Sequence, residues 1–168
     1  MLKRNLTNAR AAIFCITALI GSSLGCRKGV DLYNLRADQI NWSTYTNSKL
    51  GYSVSYPAVL QLEEFGDGSV LFRNGMDGVP ILVRYADEQD GKKRDLWFGH
   101  EPVGKINLAG RDGDKFIYSH HDGPFSTRTV AYVVAHKEKY LGVEFRTPTE
   151  LNEIQQRVLQ SFKFKNKM

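Results

Sequence analysis

The sequence predicts an α+β domain in which an antiparallel β-sheet meander is packed by a C-terminal helix. Three observations lead to this prediction. Apolar and polar residues alternate along short runs from Tyr45 onward, as they do in half-buried strands. Asp-Gly and Asn-Gly pairs, which tolerate the positive φ of tight hairpins, lie between many of these runs. Near the end of the chain the spacing of apolar residues changes to that of a helix.

Residues 1–25 are typical of a secretory signal peptide. Lys3, Arg4 and Arg10 precede an apolar run at residues 11–20, and small residues follow the run. The run is too short for a membrane-spanning helix, which needs about 20 apolar residues. Removal of the signal leaves 143 of the 168 residues, which is enough for one domain with its own core.

Ser23-Leu24-Gly25-Cys26 resembles the cleavage box of bacterial lipoproteins. The resemblance implies that the chain is cut before Cys26 and that this cysteine then carries fatty acyl chains such as palmitate. Two or more acyl chains anchor a protein stably to a membrane. Plain secretion would use the same bond, because Ser23 and Gly25 also fit ordinary signal cleavage. Cys15 leaves with the signal, so Cys26 has no cysteine partner for an internal disulfide.

The charge of the remaining chain gives no case for nucleic acid as a partner. Residues 1–25 carry three positive charges and no negative ones, so their removal lowers the net charge from +5 to +2. Residues 26–43 show no sustained periodicity and are predicted to be a lipid-anchored tether, with a short helix around residues 32–40. Residues 44–168 are predicted to form the domain.

Eight strands are expected within this domain. They lie at residues 52–56, 59–64, 69–73, 81–86, 103–108, 115–119, 128–136 and 140–146. In the last strand, alternation places Leu141 on one face and Gly142, Glu144 and Arg146 on the other. The longest gap, residues 87–101, is predicted to be a surface loop or one short helix.

The C-terminal helix is predicted over residues 148–162. Thr147 is placed as its capping residue, Pro148 as its first residue and Glu150 as the acid of a capping box. Apolar residues then recur at helical spacing, at Leu151, Ile154, Val158, Leu159 and Phe162. We expect this apolar stripe to lie on the sheet.

The segment YTNSKLGYSVSYP at residues 45–57, followed by hairpins and a capped helix that ends in SFKF, resembles the PsbP-like family. That family includes extrinsic subunits of photosystem II and many bacterial lipoproteins of unassigned role. The resemblance covers the chain from Tyr45 to Phe164 and implies an antiparallel sheet packed between helices. It implies no catalytic residues, because the family shares no active-site motif. It also implies that the protein docks on other proteins.

His120, His121 and Asp122 are the strongest candidates for a metal or acid–base site, because imidazole and carboxylate groups bind zinc. Adjacent strand residues point to opposite faces, however, and Asp122-Gly123-Pro124 is typical of a turn. We therefore expect a polar turn here, and we expect the protein to hold no metal and no cofactor.

Two further groups of acidic residues have simpler explanations than a site. Asp112 and Asp114 are spaced as in a calcium loop, but the remaining ligand positions and the closing glutamate are missing. Glu63, Glu64 and Asp67 resemble the carboxylates of a glycosidase only in number. Both groups are expected at turns and solvated strand ends.

Trp97 and Phe98 are the predicted binding residues. They lie in the longest loop, where function is often located, and aromatic residues are enriched in interface cores. Lys163, Lys165 and Lys167 form a basic tail with a weak attraction for anionic head groups.

Together these patterns indicate a lipid-anchored extracytoplasmic protein that binds or assembles other molecules near a membrane and has no catalytic activity. Its expected partners are the membrane, through the lipid on Cys26, and another protein of the cell envelope, on the periplasmic or exterior side. Two alternatives stay open. The chain could be a small-ligand carrier with an apolar cavity between sheet and helix, or a secreted hydrolase that uses His120 and His121.

Overall fold

The described part of the chain folds into two antiparallel sheets with few helices. The computed structural model describes residues 35–75, 78–93, 96–122, 125–147 and 150–165, except the side chains of residues 78–80, 91–93, 120–122 and 125–126. Most of the predicted signal peptide and tether, including Cys26, therefore lies outside the described residues.

The strands alternate with turns along most of the domain. In chain order they are β1 Trp42–Asn47, β2 Tyr52–Pro57, β3 Gln61–Glu64, β4 Val70–Asn74, β5 Gly78–Ala86, β6 Gly104–Leu108, β7 Arg111–Asp122, β8 Phe125–His136, β9 Lys139–Arg146 and β10 Lys163–Phe164. The helices are α1 Glu88–Lys93 and α2 Glu153–Gln160, with a 3-10 helix at Trp97–Gly99 between α1 and β6. All eight predicted strands are confirmed, with small differences at their ends.

The strand order differs from a single meander. A small sheet has the order β1-β2-β10, and a seven-stranded sheet has the order β3-β4-β5-β9-β8-β7-β6. The connection at residues 87–103 takes the chain from β5 to the far edge of the large sheet. The hairpins from β6 to β9 then run back until β9 pairs with β5, for example at Val83 and Val143. Each hairpin is local, but the pairing of β5 with β9 closes over a long segment.

The main core lies between the two sheets and α2. Apolar residues of the large sheet, such as Phe72 and Phe145, have no exposed surface on this side. The Tyr52 ring of the small sheet stacks on Phe162, just after α2, with ring centroids 5.3 Å apart. Val158 of α2 is also fully buried in this core. The space where a carrier would hold a small ligand is thus occupied by stacked side chains.

The C-terminal helix is confirmed, but its beginning was predicted wrongly. It starts at Glu153, and Asn152 is its cap, whereas the sequence analysis placed the cap at Thr147. The Asn152 side chain accepts a hydrogen bond from the Gln155 backbone at 2.9 Å, and the Gln155 side chain accepts one from the Asn152 backbone at 3.1 Å. Thr147 is buried at the end of β9, where its N–H donates to the Arg128 carbonyl. A Thr147 held in strand pairing cannot also begin a helix.

The short helix predicted around residues 32–40 is not found among residues 35–40, which form turns and bends. This segment is instead fixed to α2 through Ala37, which is buried. The Ala37 carbonyl accepts hydrogen bonds from the Trp42 indole at 3.0 Å and from the Arg157 guanidinium at 3.1 Å. Arg157 also lies over the Trp42 ring, 4.4 Å from its centroid. The end of the tether is therefore packed against the folded domain.

Across the described ranges, no helix is both long enough and apolar enough to cross a bilayer.

We predict that Asn152→Ala lowers the free energy of unfolding by about 1 kcal/mol, because the first turn of α2 loses its capping acceptor. Urea denaturation followed by circular dichroism measures this change. The control is Asn152→Asp, which keeps an oxygen acceptor and should retain most of the stability. Equal losses in the two variants would contradict the role of the cap.

Candidate functional site

The second face of the seven-stranded sheet carries the most unusual group of side chains in the described structure. The main core covers one face, and the segment from Leu96 to His100 lies across the other. Alternation along β9 directs Gly142 and Glu144 toward this second face, as the sequence predicts. A smaller apolar cluster surrounds them, formed by Ala86, Leu96, Trp97, Phe116, Tyr118, Ala131 and Val133.

Trp97 is seated directly on the backbone of Gly142. The indole has no exposed surface, and a Cβ atom at position 142 would lie 2.3 Å from its Cζ2 atom. No side chain larger than hydrogen fits at that separation, so the glycine creates the space that the indole fills. The contact fixes the 3-10 helix to the centre of the sheet.

Glu144 is the polar partner of this contact. Only 5% of its surface is exposed. Its Oε1 atom accepts hydrogen bonds from the Trp97 indole at 2.9 Å and from Arg84 Nε at 2.7 Å. A longer contact, 3.4 Å, joins Arg84 Nη2 to Oε2. A buried charge that is paired in this way is tolerated, whereas removal of either partner would leave an uncompensated charge.

The electrostatics of the cluster follow from burial and from the Glu144 charge. Burial alone would lower the pKa of Arg84, but the neighbouring Glu144 carboxylate outweighs it and raises that pKa. Burial raises the pKa of Tyr118, and the charge of Glu144 adds to the increase. His100 stacks on Tyr118, with ring centroids 4.9 Å apart. Arg84 therefore stays charged and Tyr118 stays neutral at ordinary pH.

The chemistry available to this cluster is positional. A general acid or base must reach a substrate proton, and Glu144 is buried with its oxygen atoms already engaged by Arg84 and Trp97. The cluster instead holds the connection between β5 and β6 against the sheet. Whatever surface that connection presents is thereby kept in one shape.

The two predicted binding residues occupy different environments. Trp97 lies in the interior, so its position favours a structural role over direct contact with a partner. Phe98 is half-buried and packs on the Tyr140 ring, with centroids 4.7 Å apart. The outer edge of Phe98 is the part of this pair that is open to solvent.

The candidate histidines lie near the tip of the longest hairpin. His120 is in register with Thr127 and His121 with Ser126, so the two backbones occupy successive positions of β7. Their side chains and that of Asp122 are outside the described part of the chain. Among the residues that are described, no group of three or more His, Cys, Asp or Glu side chains could hold a metal ion.

The other acidic candidates are engaged by neighbours. Asp112 accepts a hydrogen bond from Asn107 at 2.9 Å, and Lys105 pairs with Asp114 at 2.7 Å. Across the first hairpin of the large sheet, Glu63 pairs with Arg73 at 2.7 Å. These contacts are those of strand neighbours, as the sequence analysis expected.

His136 is a second buried titratable group, and the sequence analysis did not single it out for a role. It is 3% exposed, and its Nε2 atom lies 2.7 Å from the Leu50 carbonyl oxygen, so this nitrogen carries the proton and donates. The Nδ1 atom is buried without a hydrogen-bond partner. Burial lowers the pKa of His136, the bond to Leu50 opposes this, and the positive charges of Arg111 and Lys137 lower it further.

The predicted lipidation residue, Cys26, lies outside the described residues, and so does the cleavage box that precedes it. The signals for Glu144 and His136 were present in the sequence as polar residues within strand patterns. Their burial could not be inferred, because the groups that cover them come from distant segments.

Comparisons with known proteins give structural similarity at low identity. No protein-family model and no curated protein sequence matches the chain. The chain is similar to the cyanobacterial PsbP protein CyanoP of Synechocystis sp. PCC 6803, with 16% identity and a TM-score of 0.49 over 84% of this chain and 99% of that one. It is also similar to a protein of Bacteroides thetaiotaomicron VPI-5482, with 12% identity and a TM-score of 0.48 over 73% of this chain.

The aligned region is 48% of the Bacteroides protein, so this chain spans about half of its length. At such identities and TM-scores, membership of the PsbP-like family stays a prediction from the sequence. The antiparallel fold itself is described by the strands and their register.

We predict that Gly142→Ala lowers the free energy of unfolding by about 2–3 kcal/mol, because the added methyl group overlaps the Trp97 ring. Urea denaturation gives the free energy, and tryptophan fluorescence reports whether Trp97 moves toward solvent. Gly104→Ala is the matched control, since a Cβ there meets nothing within 4 Å. Its stability should stay within about 0.5 kcal/mol of wild type. A Gly142→Ala variant as stable as this control would contradict the packing argument.

We predict that the domain loses stability as the pH falls from about 7 to about 5, in part because of His136. The unfolded histidine binds a proton near its ordinary pKa of 6.5, while the folded site resists protonation. The unfolded state therefore binds more protons in this window. His136→Gln, which keeps a donor for the Leu50 carbonyl, should show a shallower pH dependence in urea denaturation. An unchanged slope in that variant would show that His136 is not the source.

Proposed function

We propose that this chain is a lipid-anchored extracytoplasmic protein of PsbP-like type that binds or assembles other molecules beside a membrane and has no catalytic activity. The observation that carries the proposal is the order of features before the domain. A basic start, an apolar run and the Ser23-Leu24-Gly25-Cys26 box are followed by a folded domain that contains no further cysteine. Acylation of Cys26 explains why a lone cysteine stands at that position.

The attachment of the tether supports this arrangement. Ala37 is held by hydrogen bonds to α2 and Trp42, so the domain begins only a short distance after the proposed lipid. Nine residues, 26–34, separate the described chain from the cleavage site, and they span at most about 30 Å when fully extended. A lipid on Cys26 would therefore keep the domain close to the membrane surface.

The absence of catalysis is part of the proposal, and the chemistry of the second face supports it. Glu144, Arg84 and Trp97 satisfy one another in a buried contact, which is an arrangement for stability. The described acidic candidates pair with strand neighbours. The hydrolase alternative depends on His120 and His121, which occupy successive strand positions, and successive positions point to opposite faces.

A protein of the cell envelope is the proposed partner. The cluster around Glu144 holds the connection between β5 and β6 rigid, and the exposed edge of Phe98 lies on that connection. A rigid aromatic edge suits protein contact, because little side-chain entropy is lost on binding. With a net charge of +2 after removal of the signal, nucleic acid is not proposed as a partner.

We predict that Cys26→Ser releases the protein from membranes, because serine cannot carry the thioether-linked lipid. The measurement is fractionation of membranes from cells that express the full chain, with mass spectrometry of the amino-terminal peptide. The wild-type peptide should begin at Cys26 and carry the mass of acyl chains.

A second substitution, Cys15→Ser, is the matched control, since it removes the other cysteine of the chain and should leave membrane retention unchanged. An unmodified amino terminus on the processed wild-type chain would overturn the proposal. Full retention of Cys26→Ser in the membrane fraction would do the same.

A further inference from the structure

One end of the domain collects positive charges from four separate segments. Lys49 lies in the turn between β1 and β2, Arg111 begins β7, Lys137 lies in the turn between β8 and β9, and Lys165 follows β10. We name these four residues the basic end. Lys49, Lys137 and Lys165 are exposed, and Arg111 is half-buried.

Specific contacts hold the basic end together. Lys137 Nζ donates a hydrogen bond to the Lys49 carbonyl at 2.5 Å. The Lys165 N–H donates to the Gly51 carbonyl at 2.9 Å, two residues beyond Lys49. The Arg111 guanidinium lies over the Phe164 ring, 4.1 Å from its centroid. The four cations are thus neighbours in the folded domain although they are far apart in the sequence.

His136 lies among these residues and reports their combined charge. Its ring is 5.0 Å from the Phe164 ring and is bonded to the Leu50 carbonyl. The positive charges of Arg111 and Lys137 both contribute to the lowered pKa of His136, and no carboxylate is among the causes. The electrostatic potential at this end is therefore positive.

The basic end also differs from the other cations in how its charges are matched. Ion pairs among the described residues are made by Arg36, Arg73, Arg84, Lys105, Lys115, Arg128 and Lys139. None of the four cations of the basic end is in one of these pairs. Asp112, next to Arg111, is bonded by Asn107, and the exposed Glu138 next to Lys137 is a single negative charge against four positive ones.

We propose that the basic end is the face that the domain turns toward an anionic phospholipid surface. The inference rests on the proposed function, since the lipid on Cys26 would supply the nearby membrane. Charge complementarity selects the occupant, because lysine and arginine side chains near anionic head groups are attracted to them individually, without a shaped pocket. This extends the weak attraction expected of the basic tail to a surface that the fold assembles from four segments.

The geometry of the tether permits this orientation. Ala37 is packed beside Trp42 at the first end of β1, and Lys49 follows the other end of that strand. A six-residue strand is about 20 Å long. Residues 26–34 span at most about 30 Å, so a lipid on Cys26 reaches the membrane while the basic end faces it.

The test is the binding of the full chain carrying Cys26→Ser to lipid vesicles, measured by co-sedimentation. This variant has no acyl anchor at position 26, so the result does not depend on lipidation. Vesicles of equal parts phosphatidylglycerol and phosphatidylcholine are compared with vesicles of phosphatidylcholine alone. The comparison subtracts any insertion of the apolar run at residues 11–20. The added affinity for the anionic vesicles should fall as ionic strength rises.

Lys49→Gln with Lys165→Gln should weaken binding to the anionic vesicles about 25-fold, since each cation near the surface contributes about fivefold. The matched control is Arg73→Gln with Lys105→Gln, which removes two charges elsewhere and should change the affinity by less than twofold. Thermal melting of both variants verifies that they are folded. Equal weakening in both pairs, or no preference for anionic vesicles, overturns the proposal.

Displacement from the vesicles by inorganic phosphate at matched ionic strength would also overturn it, because that result indicates a site for one free anion. The outcomes separate the two proposals. An unmodified Cys26 in the wild-type chain overturns the lipid anchor and leaves the vesicle measurement standing. Equal binding to both kinds of vesicle overturns the membrane-facing role of the basic end and leaves the anchor standing.

Discussion

The contact of the Trp97 indole with the bare backbone of Gly142 is the constraint on which the described architecture depends. A seven-stranded sheet has two faces, and the small sheet with α2 covers one of them. The other face would be exposed if the connection between β5 and β6 did not lie across it. That connection is seated by one large ring, which needs a position without a Cβ atom in the centre of the sheet.

The same contact explains why a charge is tolerated inside the domain. The indole N–H of Trp97 would be buried without a partner unless an acceptor lay beneath it, and Glu144, two residues along β9, supplies one at 2.9 Å. A carboxylate at that depth in turn requires a cation, and Arg84 on β5 provides it. Each of the three groups satisfies a requirement created by another, so the cluster is stable as a unit and poorly suited to proton exchange with a substrate.

What the sequence could predict, and what it could not, follows from the distance over which each feature is decided. The strands and hairpins depend on alternation and turn residues within a few positions, and they were predicted closely. The pairing of β5 with β9, the burial of Trp97 and the enclosure of His136 depend on segments far apart in the chain, and no local pattern encodes them. The cap of α2 shows the limit within a single segment. Thr147 and Asn152 are both good capping residues, and strand pairing of Thr147 decides between them.

The distribution of charge divides the surface into parts with different uses. Over much of the described domain, cations face acids on neighbouring strands, as in the pair Lys105–Asp114, and such pairs leave little net field. At the basic end the turns and the chain terminus bring cations together without that compensation. Assembling like charges costs stability, and packing Arg111 on Phe164 and bonding Lys137 to the Lys49 carbonyl offsets part of this cost. An uncompensated cluster held in place by specific contacts is better explained by an anionic counterpart outside the chain than by folding alone, and a membrane close to a tethered domain is the counterpart that the tether would supply.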